Sequence, residues 1–130
     1  MGALGYFLAL PFIYGIALLP FPILYALSDT LQFLVFTIIG YRRKVILTNL
    51  RNSFPEKSET EIQDIARRFQ HWFCDLTLET IKTLTLSPTT VRQRVSFEGT
   101  GILQQYAAQN QSVELVLRHF ENWELTGARY

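Results

Sequence analysis

The sequence is poorest in charge where the chain begins. Its first 28 residues, Met1 to Ser28, carry no Asp, Glu, Lys or Arg, and Asp29 is the only charged side chain before Arg42. Such a stretch excludes a disordered tail and a uniformly soluble domain, because nothing in it favours water over an apolar environment. With one cysteine, Cys74, an intrachain disulfide is impossible, so no oxidising compartment is required. A surplus of one charge sign is missing too. Twelve Lys and Arg against 11 Asp and Glu leave a net charge of +1, which excludes a general electrostatic attraction for nucleic acid. No metal-ligand spacing, phosphate-cradling glycine loop or Gly-x-Ser-x-Gly elbow occurs, so no metal and no cofactor is expected.

What the amino terminus does contain is apolar: 28 of the first 40 residues. As a helix, Gly2 to Leu19 would extend about 27 Å, close to the thickness of a bilayer core. Pro11 lies inside this run, a position that membrane helices tolerate better than soluble ones. Pro20-Phe21-Pro22 punctuates the chain, and a second apolar run, Ile23 to Gly40, carries Asp29 near its middle. A lone carboxylate at the bilayer centre costs roughly 2.5–3.5 kcal/mol, so this second run is expected to be interfacial or packed against protein. Residues 1–40 are thus read as a membrane anchor, with 1–27 spanning and 28–40 interfacial. The start lacks a positive leader and a clean small-x-small site, which favours an uncleaved anchor over a signal peptide.

Arg42, Arg43, Lys44 and Arg51 follow, with no acid between Thr30 and Pro55. This asymmetry places the chain from residue 41 onward in the cytoplasm. The cluster is either a solvated helix face or a contact for anionic lipid headgroups or an acidic carrier.

From Ser58 the pattern changes. Ser58-Glu59-Thr60-Glu61 has the spacing of a capping box, and Ile62, Ile65, Phe69, Phe73, Leu76 and Leu84, with Thr80, form one apolar face of a helix of about 28 residues. Pro88 disfavours helix at Ser87 and ends it. A short helix is expected around Thr89–Arg94, a strand at Val95-Ser96-Phe97, a helix from Thr100 to Ala108 with Asn110 as stop, and a second strand at Val113–Leu117. Strand, helix and strand are the beginning of an α/β domain. The expected fold class is therefore α/β: a membrane helix and a long amphipathic helix leading into an incomplete open-sheet domain over residues 41–130.

His119 and Glu124 stand five apart after the second expected strand. A neutral imidazole there can remove a proton from an attacking hydroxyl while a carboxylate fixes its tautomer and stabilises the imidazolium, which is the arrangement of a general base. The spacing also suits a surface histidine beside a helix N-terminal acid. His71 and Asp75 read as an exposed i,i+4 pair, Asp75 and Glu79 as like charges with Lys82 as counterion, and Cys74 as a small packed residue.

Tyr41-Arg42-Arg43-Lys44-Val45, Asn49-Leu50, Ser53-Phe54-Pro55, the placement of Asp75 and Glu79, and His119-Phe120-Glu121-Asn122-Trp123-Glu124 resemble, in this order, the bacterial lipid A biosynthesis acyltransferases of the lauroyl/myristoyl type. The resemblance covers essentially the whole chain. It implies a peripheral or single-span inner-membrane enzyme that moves a fatty acyl chain from acyl carrier protein onto a hydroxyl of a lipid A precursor. By the same resemblance His119 is the base and Glu124 its partner, and Asn122 and Trp123 are substrate-binding. Arg118 and Glu121 stand where the family pattern Gly-His-x-Gly-Asn-Trp-Glu carries glycines, a departure that bears on the geometry of the turn. The chain is expected to be an amino-terminal fragment of such an enzyme. Two other functions stay open: acyl transfer to another lipid, such as an aminolipid, and a non-catalytic membrane interaction protein.

Overall fold

The computed structural model describes residues 2–114 and 122–127. Seven α-helices are found there: α1 Gly2–Leu18, α2 Phe21–Gln32, α3 Arg43–Ser53, α4 Glu59–Lys82, α5 Pro88–Arg94, α6 Gly101–Ala108 and α7 Trp123–Gly127. A π-helical turn, Phe33–Ile38, prolongs α2, and a 3-10 turn, Thr83–Thr85, prolongs α4. The chain forms two compact units, Met1–Leu84 and Thr85–Tyr130.

In the first unit α4 is the common partner, packing against α1, α2 and α3. Small side chains make close approach possible, since Ala17, Ser28, Ala66 and Cys74 are all buried beside Leu24, Phe36, Ile62 and Leu78. The break between α1 and α2 falls where the prolines require it. Pro20 caps α2 with φ −58° and ψ 147°, and Pro22 follows inside the first turn, where its missing N–H disturbs no ladder bond. No single helix therefore runs through 1–27. By length and composition the helix able to cross a membrane is Phe21–Ile38, with mean hydropathy 1.5, accompanied by the shorter apolar Phe7–Leu18. Phe7, Phe12, Leu18, Ile38 and Ile39 are each more than 60% exposed, an apolar surface that points to membrane association.

The π-helical turn closes at Gly40, φ 69°, with the Tyr41 amide donating to the Val35 carbonyl at 3.0 Å. That closure is one residue wider than an ordinary α-helical cap, as the π turn demands. Arg42 then takes a left-handed conformation, φ 48°, as N-cap of α3.

Helix α4 begins with the expected capping box: the Ser58 amide donates to Glu61 Oε2 at 2.9 Å, and the Glu61 amide to Ser58 Oγ at 3.4 Å. Its buried line is Ile62, Ala66, Cys74, Leu78 and Lys82. Phe69, Phe73 and Leu84 of the expected apolar face are exposed instead. Ser87 caps α5 by accepting from the Thr90 amide at 3.1 Å, and Asn110, φ 53°, follows the last turn of α6.

The expected α/β architecture is overturned. Among the described residues every regular element is helical and no strand or open sheet forms. Val95 is extended, φ −115° and ψ 123°, but as the C-cap of α5, its amide donating to the Val91 carbonyl. An alternating tripeptide becomes a strand only when a second strand completes its hydrogen bonds, and none does so here. Val113 and Glu114 are likewise not in a strand, and the rest of the second expected strand, 115–117, lies outside the described residues.

Candidate functional site

The first unit carries a polar seam between α2 and α4, in the middle of apolar surroundings. On α2, Phe21, Tyr25 and Asp29 recur every four residues and share one face. On α4 the facing groups run in the opposite direction. His71 Nε2 meets Asp29 Oδ1 at 2.8 Å, the Tyr25 hydroxyl donates to Glu79 Oε1 at 2.5 Å, and Lys82 Nζ lies 5.6 Å from the centre of the Phe21 ring. His71 Nδ1 also reaches Asp75 Oδ2 at 3.0 Å, so one imidazole bridges carboxylates from two helices. Asp29 thus meets a side chain of α4 rather than standing alone in the apolar run. The His71–Asp75 pair extends beyond a simple surface pair, and Glu79 accepts from a tyrosine of the anchor. Sequence reasoning missed this seam. Its one local signal is the four-residue spacing of Tyr25 and Asp29 within an otherwise apolar run.

Beside the seam, Cys74 is buried, and burial followed by the nearby Asp75 charge pushes its thiol pKa up. A raised thiol is a poor nucleophile, consistent with a packing residue. Among the described residues no group of three or more His, Cys, Asp and Glu side chains assembles a metal site.

The four cations after the anchor divide into two sets. Arg51 is held by Glu59, with Nη2 to Oε1 at 2.7 Å and Nε to Oε2 at 3.0 Å. The paired geometry raises the Arg51 pKa and holds the Glu59 carboxyl down at about 2, chiefly through the arginine hydrogen bonds. Arg42, Arg43 and Lys44 are exposed, and among the described residues they meet no carboxylate.

In the second unit the structure describes part of the His119–Glu124 box. His119, together with Arg118 and Glu121, lies outside the described residues. Asn122 caps α7, its Oδ1 accepting from the Leu125 amide at 3.0 Å. This asparagine therefore has a backbone task in positioning the turn. Trp123 is 41% exposed, and Glu124 projects from the first turn of α7, where the helix N-terminus favours a carboxylate.

Apolar amino-terminal helices braced by α4, with exposed cations directly after them, suggest membrane association. The model of the family of bacterial lipid A biosynthesis acyltransferases matches residues 2–129, and the chain belongs to that family. It is accordingly an acyltransferase of lipid A biosynthesis whose acceptor is a lipid. Among curated proteins and among solved structures nothing matches the chain.

Proposed function

We propose that the chain transfers a fatty acyl group from acyl carrier protein to a hydroxyl of a lipid A precursor, at the cytoplasmic face of the bacterial inner membrane. The observation that carries this reading is the family match over residues 2–129, which takes in both the anchor and the His119–Glu124 box. In this mechanism neutral His119 removes the proton of the acceptor hydroxyl as its oxygen attacks the thioester carbonyl. The ester C–O bond forms, the C–S bond breaks, and the imidazolium returns the proton to the departing thiolate. Glu124 acts through His119, fixing its tautomer and stabilising the imidazolium. Trp123 and Asn122 shape the substrate side of the turn.

Residues 1–40 anchor the enzyme, and Arg42, Arg43 and Lys44 face anionic headgroups on the cytoplasmic side. Arg51, engaged by Glu59, contributes less to that contact. The test is acyl transfer by the purified chain in detergent, with acyl–acyl carrier protein as donor and product lipids read by mass spectrometry. Transfer to the lipid A precursor that is lost in His119→Ala supports the reading. Transfer to aminolipids alone, or equal turnover by both proteins, contradicts it.

A further inference from the structure

We propose that the first unit holds one anionic glycerophospholipid of the surrounding bilayer, with an acyl chain in an aromatic pocket and the phosphate on Arg42. The inference rests on membrane association and not on acyl transfer, so each can fail alone.

The pocket lies between the π-helical turn, α3 and α4. It encloses about 250 Å³ and is walled by Phe36, Tyr41, Val45, Phe69 and Phe73, with Arg42 also lining it. The rings brace one another. Phe36 meets Phe73 edge-on at 6.2 Å and Tyr41 at 6.3 Å, and Phe69 lies 6.1 Å from Phe73. Edge-on and tilted contacts of this kind are favourable ring geometries. Phe36 is buried, yet Tyr41, Val45, Phe69 and Phe73 stay 39–50% exposed, so this apolar lining has no protein cover among the described residues. Along the same helices Ile46, Leu50 and Phe69 line a further apolar cavity of about 220 Å³, which lengthens the groove.

Two observations identify the occupant. The first is charge. Arg51, Lys57, Arg67 and Arg68 each meet a carboxylate, whereas Arg42, which lines the pocket, and the next two residues, Arg43 and Lys44, meet none among the described residues. An apolar groove with unmatched cations at one end fits an amphiphile with an anionic head. The second is position. The helix able by length and composition to cross a membrane ends at Ile38, four residues before Arg42, so in a bilayer it would bring the pocket to the level where headgroups meet acyl chains. A bilayer lipid reaches this site by lateral diffusion, without leaving the membrane.

The experiment is native mass spectrometry of the full chain released from nanodiscs that contain phosphatidylcholine and phosphatidylglycerol. One phosphatidylglycerol should stay bound. Val45→Trp, which fills the pocket from an exposed position on α3, should lower retention at least tenfold. Arg42→Gly, which suits the left-handed backbone, should abolish the preference over phosphatidylcholine. Lys57→Ala and His119→Ala should retain the lipid as the parent does. Equal retention of both lipids by the parent, or an unchanged adduct in Val45→Trp, overturns the proposal. So does complete displacement by palmitate, which would make a fatty acid the occupant, and so does loss of the adduct in His119→Ala alone, which would place the lipid at the catalytic box.

Discussion

Lys82 Nζ donates a 2.7 Å hydrogen bond to the carbonyl oxygen of Ala17, joining the end of α4 to the end of α1 across 65 positions of sequence. Both residues are buried, and the ammonium also lies over the ring of Phe21. A carbonyl in the last turn of an α-helix has no partner within its own helix, and a cation placed there satisfies it and opposes the helix dipole. Lys82→Met, which keeps the stem and removes the charge, should cost about 1.5–3 kcal/mol, the usual contribution of a hydrogen bond to a charged group. Chemical unfolding in detergent micelles measures it, and an unchanged midpoint would show that the contact contributes nothing.

The Tyr25 hydroxyl on Glu79 gives a second tie between anchor and α4. Tyr25→Phe deletes one oxygen and leaves the ring, so the loss should be about 1–2 kcal/mol. Replacing Glu79 by Gln in the same background should cost less than the same change in the parent, because Tyr25→Phe has already removed the bond they share. Additive losses would separate the two residues.

The rotated face of α4 predicts an inequality. Ile62 is 1% exposed and Phe69 39% exposed. Ile62→Ala should cost about 2–5 kcal/mol through a cavity, while Phe69→Ala, despite the larger side chain, should cost about 1 kcal/mol. Unfolding midpoints of the two variants decide the matter, and a larger loss at Phe69 would return that residue to the core.

This inequality shows what the sequence made legible. The capping box at Ser58, the break at Ser87-Pro88 and the stop at Asn110 are local arrangements of a few residues, and each is found in the structure. The apolar periodicity located α4 and its buried Ile62 but placed Phe69 and Phe73 on the same buried face, where the structure leaves them exposed. The helix turns its small and mixed residues, Ala66, Cys74 and Lys82, toward α1 and α2, and its aromatics toward the pocket. Hydropathy ranks a phenylalanine above an alanine, whereas close helix packing selects the alanine. The strand expected at Val95–Phe97 failed for a related reason, since alternation specifies a face and not a partner. The Asp29–His71 contact joins residues 42 apart and has no local signature. His119 and Glu124 were marked by their spacing and by family resemblance, and His119 itself lies outside the described residues.

The Arg51–Glu59 pair carries a pH prediction. The folded Glu59 carboxyl, at about 2, lies below the ordinary glutamate value near 4.3, so the folded state binds its proton less tightly than the unfolded one. The pair's stabilisation is therefore present above about pH 4.3 and is lost as pH falls through about 2. Carboxyl NMR of the chain in micelles should find Glu59 titrating well below the ordinary glutamate value, and Arg51→Ala should raise it toward that value. A Glu59 titration unaffected by Arg51→Ala would remove the arginine as the cause.

The proposed histidine base is read out by the rate of acyl transfer from acyl carrier protein to the lipid A precursor as a function of pH. The parent, His119→Ala, Glu124→Gln and the double variant are to be compared at matched abundance. With His119 as the base, the rate should rise with pH as His119 loses its proton, His119→Ala should lose roughly 10²–10⁴-fold, and the double variant should be hardly slower than that single change. A His119→Ala protein that turns over at the parent rate with an unaltered pH profile would contradict it.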